Sequence, residues 1–237
     1  AMYFRYTRVI FCYFLVVLFG AIFNLGYSFA DSKKPMHSVF DPDSGFEFLP
    51  PTPGSYSLPI IKKSPDGDLL DIKGNRLSLK SALSGKISIV SFVYLTCSDV
   101  QGCPFAISTL FELFHKSEHL EDLNKFAQLV TISFDPVHDT VGAIKAFSFP
   151  IMADNDADKK IKWSIFTTKN NKNLKPILDG YGQVITRKRD SNIINHLLRI
   201  YLVDSSGDIR NIYGLGTIDP RLLLADIETL LIEEGHR

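Results

Sequence analysis

Two cysteines with five residues between them, Cys97 and Cys103, follow a stretch, residues 87–95, that is almost continuously β-branched and aromatic. That is how a central strand buried on both faces reads. Pro104 comes next and opens an apolar-periodic segment, residues 105–114. Proline is welcome in the first turn of a helix, so Cys103 is predicted at or just before a helix N-terminus. A strand that delivers two thiols to a helix start is a chemical device. Amide donors and the positive end of the helix dipole favour thiolate, the form that reacts or binds metal.

The chain that positions them has 237 residues, 45% hydrophobic and 22% charged, the proportions of a globular chain of one domain. Lys+Arg and Asp+Glu balance at 26 each, and the basic run at Arg187, Lys188 and Arg189 is short, so nucleic-acid binding is not expected. Residues 1–30 read as a signal peptide: Arg5 and Arg8 precede an unbroken apolar run, residues 9–23, and Ser28, Phe29 and Ala30 have the spacing of a signal-peptidase site. The run is short for a spanning helix. Cleavage after Ala30 is therefore expected, with a retained membrane anchor through residues 9–25 as the alternative. Cys12 lies in this segment, which leaves the exported chain one cysteine pair. Such a pair most often makes a plain structural disulfide. Position weighs against that here, because closing a loop of a few residues restrains little unfolded-chain entropy.

Residues 31–59 are rich in Pro and Ser and show no period, as in a tether or a strap lying over a domain formed by residues 60–237. Residues 69–72 and 76–79, around Lys73, Gly74 and Asn75, read as a hairpin. Residues 129–134 form a second buried strand ending in Asp135, Pro136, His138, Asp139 and Thr140; Asp139 or Thr140 is placed to cap a helix running to about Phe147. Residues 162–166 suit a short strand or a helix equally. The long polar stretch 167–195 holds one helix near residues 174–181. Residues 196–203 read as a third strand, with a tight turn at 205–208 and an antiparallel partner at 209–213. Leu222, Leu223, Ile227, Leu230 and Leu231 fall on one face of a final helix. This is the thioredoxin order: an α/β, thioredoxin-like fold with an N-terminal β-hairpin and a long insertion before the His196 strand.

The sequence resembles the Sco/SenC family, thioredoxin-fold copper proteins linked to assembly of cytochrome c oxidase. The resemblance spans about residues 69–234. It is carried by Gly85 and Lys86 before the core strand, by Thr96, Cys97, Cys103 and Pro104, and by Ser133, Phe134, Asp135, Pro136, Asp139 and Thr140. His196 followed by Tyr201, Leu202, Val203, Asp204 and Gly207 completes it. The family's motif has three residues between its cysteines; here there are five, Ser98 to Gly102, making a wider loop in which Gly102 allows a tight turn into the helix. That departure marks a divergent subgroup.

The resemblance implies copper held by Cys97, Cys103 and His196, with Asp135 in the outer shell, orienting the site or shifting a cysteine pKa. Without it, His196 reads as a solvent-exposed histidine at a strand start and Asp135 as a turn-forming or capping carboxylate. Two thiolates and an imidazole are a soft set that favours copper(I) and also accommodates copper(II). Zinc in a structural site asks for four ligands and iron–sulfur clusters usually for four cysteines, which this chain does not offer. His115 and His119 read as solvated surface, His37 and His236 as parts of tails, and Trp163 and Phe166 as core. His138 belongs to the same sheet end as the cysteines.

The function implied is an exported copper-binding protein that carries or delivers copper to a cuproprotein, such as a cytochrome c oxidase subunit, in the periplasm or on the outer face of the cytoplasmic membrane. That is a binding and transfer role rather than turnover. The alternative is a thiol–disulfide reductase acting on the cysteines of a metalloprotein client, since thiolates that bind copper also attack disulfides. Against it, oxidoreductases of this fold use a Cys-x-x-Cys spacing. A thiol peroxidase would want a Thr/Pro-x-x-x-Thr/Ser-x-x-Cys arrangement before Cys97, and there is none. In the metal-free oxidised form a reversible Cys97–Cys103 disulfide is expected.

Overall fold

The structure, a computed structural model, describes residues 33–40, 48–97, 99, 102–187 and 194–237. The expected signal peptide, the anchor alternative at residues 9–25 and Cys12 lie outside the described residues, and among those described no helix is long and apolar enough to cross a membrane. Pro35–Arg237 forms one compact unit.

Its elements in chain order are β1 (Lys62–Lys63), β2 (Asp68–Leu70), β3 (Arg76–Ser78), α1 (Leu79–Leu83), β4 (Ile87–Val93), α2 (Cys103–Lys116), α3 (Glu121–Phe126) and β5 (Ala127–Ser133). There follow α4 (Val141–Phe147), α5 (Phe149–Met152), β6 (Lys162–Phe166), α6 (Asn171–Tyr181), β7 (Ile185–Arg187), β8 (Ile194–His196), β9 (Ile200–Val203), β10 (Asp208–Tyr213) and α7 (Pro220–Glu233). The central sheet runs β1-β10-β9-β4-β5-β6. β4, β5 and β6 are parallel, joined by helical crossovers, while β9 and β10 return antiparallel.

All seven residues of β4 are buried, which accounts for its unbroken apolar character. Ile87 and Ile89, with Leu129 and Leu202, face α2 and α7 through Leu110, Leu223 and Leu230. Val90 and Phe92, with Ile132 and Tyr201, face α1 and α6 through Leu79, Ile177 and Tyr181. The segment that suits strand or helix in the sequence is β6, the parallel edge strand, with Trp163 donating to Thr131 Oγ1 at 2.9 Å. The β2–β3 hairpin turns at Gly74, whose φ of 83° is one that side chains disfavour.

Two expectations are corrected. Residues 196–203 are not one strand: His196 ends β8, which among the described residues pairs only with β7, and the sheet strand begins at Ile200. The apolar run is continuous in sequence, but Leu197 is exposed where the chain steps between the two sheets. His37 and His236 are not in free tails either. His37 lies partly buried beside Glu228 and Arg221, and His236 stacks on Phe126 with ring centroids 3.9 Å apart.

The described parts of residues 35–59 lie across the outer face of α7. Met36 N–H donates to Glu228 at 2.6 Å, Gly54 N–H to Thr229 Oγ1 at 3.1 Å, and the Tyr56 hydroxyl to Asp226. Arg210, also paired with Asp204 and Glu233, donates to the Leu58 carbonyl. This cover buries Asp226, Glu228 and Thr229, which lie off the apolar face of α7.

Candidate metal centre

The site is built where β4 runs out. Tyr94 is the first residue beyond the strand, and its carbonyl accepts Cys97 N–H at 3.2 Å, which turns the chain at the end of the strand. The turn is held from the neighbouring strand end. Phe134 N–H donates to the Val93 carbonyl at 2.8 Å and Leu95 N–H to Asp139 Oδ2 at 3.1 Å. The Ser133 hydroxyl donates to the same Asp139 oxygen. Asp139 is therefore a backbone anchor, and the cap of α4 is Thr140, which accepts Ala143 N–H. Gly102 enters the helix with its N–H on the Asp99 carbonyl at 2.8 Å. A side chain there would meet that carbonyl oxygen at 3.2 Å, tighter than ordinary contact, so the turn favours glycine.

Cys103 is the first residue of α2, as the sequence predicts, and only 3% exposed; Cys97 is half-buried, and neither is in a disulfide. Burial pushes the Cys103 thiol well above its ordinary range, against the opposing pull of the Tyr94 peptide N–H and its own. The sequence expectation that the helix start would favour thiolate is thus overridden at Cys103: desolvation in the apolar wall outweighs the helix N-terminus. The Tyr94 phenol is pushed up to about 12 by burial and by its bond to Cys97.

His196 Nε2 stands 3.6 Å from Cys103 Sγ, and its Nδ1 lies 3.0 Å from the Ile194 carbonyl. A carbonyl only accepts, so Nδ1 carries the proton and the Nε2 lone pair faces the sulfur. The ring is wedged against Phe134 and Tyr94 at centroid distances of 4.8 and 5.8 Å. Two donors on one first-row metal, with bonds of about 2.0 Å to nitrogen and 2.3 Å to sulfur, stand about 3.5 Å apart at a tetrahedral angle. Cys103 and His196 meet that separation. Cys97 does not yet complete it: among the described residues no three of His, Cys, Asp and Glu are gathered closely enough to hold a metal as they stand.

Asp135, 2% exposed, touches neither thiol through its hydrogen bonds. Its Oδ2 takes His138 Nδ1 at 2.7 Å and its Oδ1 takes Arg187 Nη1 at 2.9 Å. Arg187 ends β7, whose ladder partner β8 carries His196, with Ile185 opposite His196 and Arg187 opposite Ile194. His138 is half-exposed and is taken up by Asp135; His115 is an exposed residue 3.8 Å from Asp154. The role of Tyr94 escapes a reading of sequence, because a tyrosine closing a buried strand looks like core. Arg187 escapes it as well, lying 52 residues from its carboxylate partner.

The SCO1/SenC family model matches residues 63–232. The chain belongs to the SCO1/SenC family. Among solved structures, it is similar to a protein from Aquifex aeolicus (24% identity, TM-score 0.58, covering 76% of this chain and 98% of that one). It is also similar to a SCO1/SenC family lipoprotein from Bacillus anthracis (19%, TM-score 0.59, 73% and 96%) and to copper-bound ScoI from Bradyrhizobium japonicum (23%, TM-score 0.51, 71% and 99%). At these identities the likeness shows the fold, which is α/β and thioredoxin-like. No curated protein matches the chain in sequence. Within this SCO1/SenC chain, the loop after β4 and the first residue of α2 carry the two thiols, and a hairpin outside the main sheet carries the imidazole.

Proposed function

We propose that this SCO1/SenC chain binds copper through Cys97, Cys103 and His196 and delivers it to a cuproprotein such as a cytochrome c oxidase subunit. The setting proposed is the periplasm or the outer face of the cytoplasmic membrane, reached through an N-terminal signal in residues 1–30. The observation that carries this reading is the pair of donors Cys103 Sγ and His196 Nε2, 3.6 Å apart with the imidazole's other nitrogen committed to Ile194. A lone pair aimed at a buried thiol on a fixed ring is what a soft metal site needs before the metal arrives.

The chain's own groups suggest an order of events. Cys97, half-buried, is the thiol an arriving or departing partner reaches first, while Cys103 is enclosed. Cys103 holds its proton in the metal-free state, so taking up copper displaces that proton. Transfer then proceeds by exchange of thiolate ligands, with Cys97 released to the client side. Asp135 acts from outside the ligand set, holding the β7–β8 hairpin through Arg187 and so fixing where His196 stands. A thiol–disulfide reductase is the second reading, favoured by two free thiols of which Cys97 is the accessible one.

Metal analysis and visible spectroscopy of the reduced protein after copper addition separate the two. One equivalent of copper with a thiolate-to-copper(II) charge-transfer band supports copper carriage. Loss of copper on gel filtration, with client disulfides reduced at a catalytic rate, would replace it with the reductase.

A further inference from the structure

The β7–β8 hairpin that carries His196 shares no ladder with the main sheet among the described residues, yet its base is tied to that sheet by a side chain. Gln183 stands two residues before β7, and Leu197 directly follows β8. The Gln183 amide crosses between these ends: its Nε2 donates to the Leu197 carbonyl at 2.7 Å, and its Oε1 accepts the Tyr201 hydroxyl at 3.1 Å. A carbonyl only accepts, so the amide nitrogen must face Leu197 and the amide oxygen the phenol. Gln183 is 4% exposed, and Tyr201, in β9, is fully buried against Phe92 and Tyr181. The backbone of Gln183 is fixed as well. Gly182, at a φ of 68°, ends α6, and Gln183 N–H returns to the Leu178 carbonyl at 2.8 Å. Leu197 turns its side chain to solvent and its carbonyl toward Gln183. A carbonyl turned inward where the chain leaves a strand needs a donor from outside the ladder, and the Gln183 amide supplies it. Leucine would fill this space without burying an amide.

We propose that Gln183 is a positioning residue for His196: its amide pins the base of the hairpin to β9 and so keeps the imidazole against Cys103. The inference rests on the reading that His196 is a copper ligand, and it names the group that sets where this ligand stands. From Leu197 the hold reaches His196 through a single peptide link. The imidazole Nε2 then lies 3.6 Å from Cys103 Sγ, with the rings of Phe134 and Tyr94 packed against it. Arg187 clamps the same hairpin nearer its turn, through a side chain that is 36% exposed. Gln183 works at the more deeply buried end, where water does not make good a lost hydrogen bond.

The test compares Gln183→Leu, which keeps the bulk and removes both bonds, with Tyr201→Phe, which removes only the tie to β9. NMR of the metal-free, reduced proteins reads the proton contacts of the His196 ring with the rings of Phe134 and Tyr94, together with amide exchange in β7 and β8. In Gln183→Leu the ring contacts should weaken and hairpin exchange accelerate on the order of tenfold, while β4 and β5 exchange as slowly as in wild type. Tyr201→Phe should move both readouts the same way, by about threefold in exchange. Wild-type ring contacts and exchange in either variant would overturn the proposal. So would acceleration spread equally over β4 and β5, the mark of a merely structural role. Should Gln183→Leu not fold, Tyr201→Phe decides alone by the same criteria. Copper(II) affinity, taken separately by chelator competition, should fall about tenfold in Gln183→Leu and copper(I) affinity less. Because no copper enters the NMR measurement, a wild-type protein that binds no copper sinks the ligand reading and leaves the positioning result standing. Wild-type ring contacts in Gln183→Leu sink the positioning result alone.

Discussion

Replacing Asp135 by asparagine tests whether the hairpin that carries His196 is clamped from the sheet. Asp135 has both oxygens engaged, at 2.9 Å to Arg187 and 2.7 Å to His138, and is itself buried. The amide keeps one acceptor but loses the charge and presents N–H groups to His138. A hydrogen bond to a charged group contributes about 1.5–3 kcal/mol. The figure must be discounted here, because the Arg187 side chain is 36% exposed and keeps its bonds to the Phe134 carbonyl and Asn171. A cost of about 1–2 kcal/mol remains, and it falls on docking of the hairpin, since β7 and β8 pair only with each other and share no ladder with the main sheet. Hydrogen exchange of the β7–β8 amides in the metal-free protein should therefore accelerate about 5- to 30-fold, at about 1.4 kcal/mol per decade, while exchange in β4 and β5 stays slow. Copper(II) affinity should fall by up to the same factor and copper(I) affinity by less. Wild-type exchange rates in the hairpin of a folded Asp135→Asn protein would refute the clamp.

His196→Ala should weaken copper(II) on the order of a hundredfold and copper(I) much less, because copper(II) gains more from nitrogen; chelator competition in both oxidation states measures it, and equal retention would strip His196 of a ligand role. Because the folded protein raises the Cys103 pKa, the thiol keeps its proton through neutrality. Copper uptake at neutral pH should then release at least one proton and tighten as pH rises, which an unbuffered titration checks; uptake without acidification would contradict it. Leu110→Ala, at a fully buried position between α2 and the sheet, should cost about 2–5 kcal/mol in urea unfolding without changing copper stoichiometry.

The parts of the fold set by periodicity were legible in the chain: the buried run of β4, the proline-led start of α2, and the apolar face of α7 all appear where their patterns put them. β6 was not, because five residues satisfy a strand and a helix period equally. The break after His196 was not legible either, since an apolar run carries no mark of which sheet each residue joins. At the site, the residue types pointed to thiol and imidazole chemistry. Their environment did not show: the burial that keeps Cys103 protonated and the reach of Arg187 to Asp135 are made by residues distant in sequence. Asp139 shows the same limit, because its cap-like position in sequence conceals an anchor for Leu95.

The strap over α7 bears on mechanics rather than affinity. A pull arriving along the chain from before Lys33 does not load the central sheet directly. It meets Met36 on Glu228 and Phe40 in the apolar wall, then Gly54 on Thr229, Tyr56 on Asp226 and Leu58 on Arg210. These contacts lie in series along the segment, so force is spent shearing one after another before β1 is reached. Under such a pull the segment would work as a cable clamp does at the entry to an instrument, keeping tension in the lead away from the contacts inside.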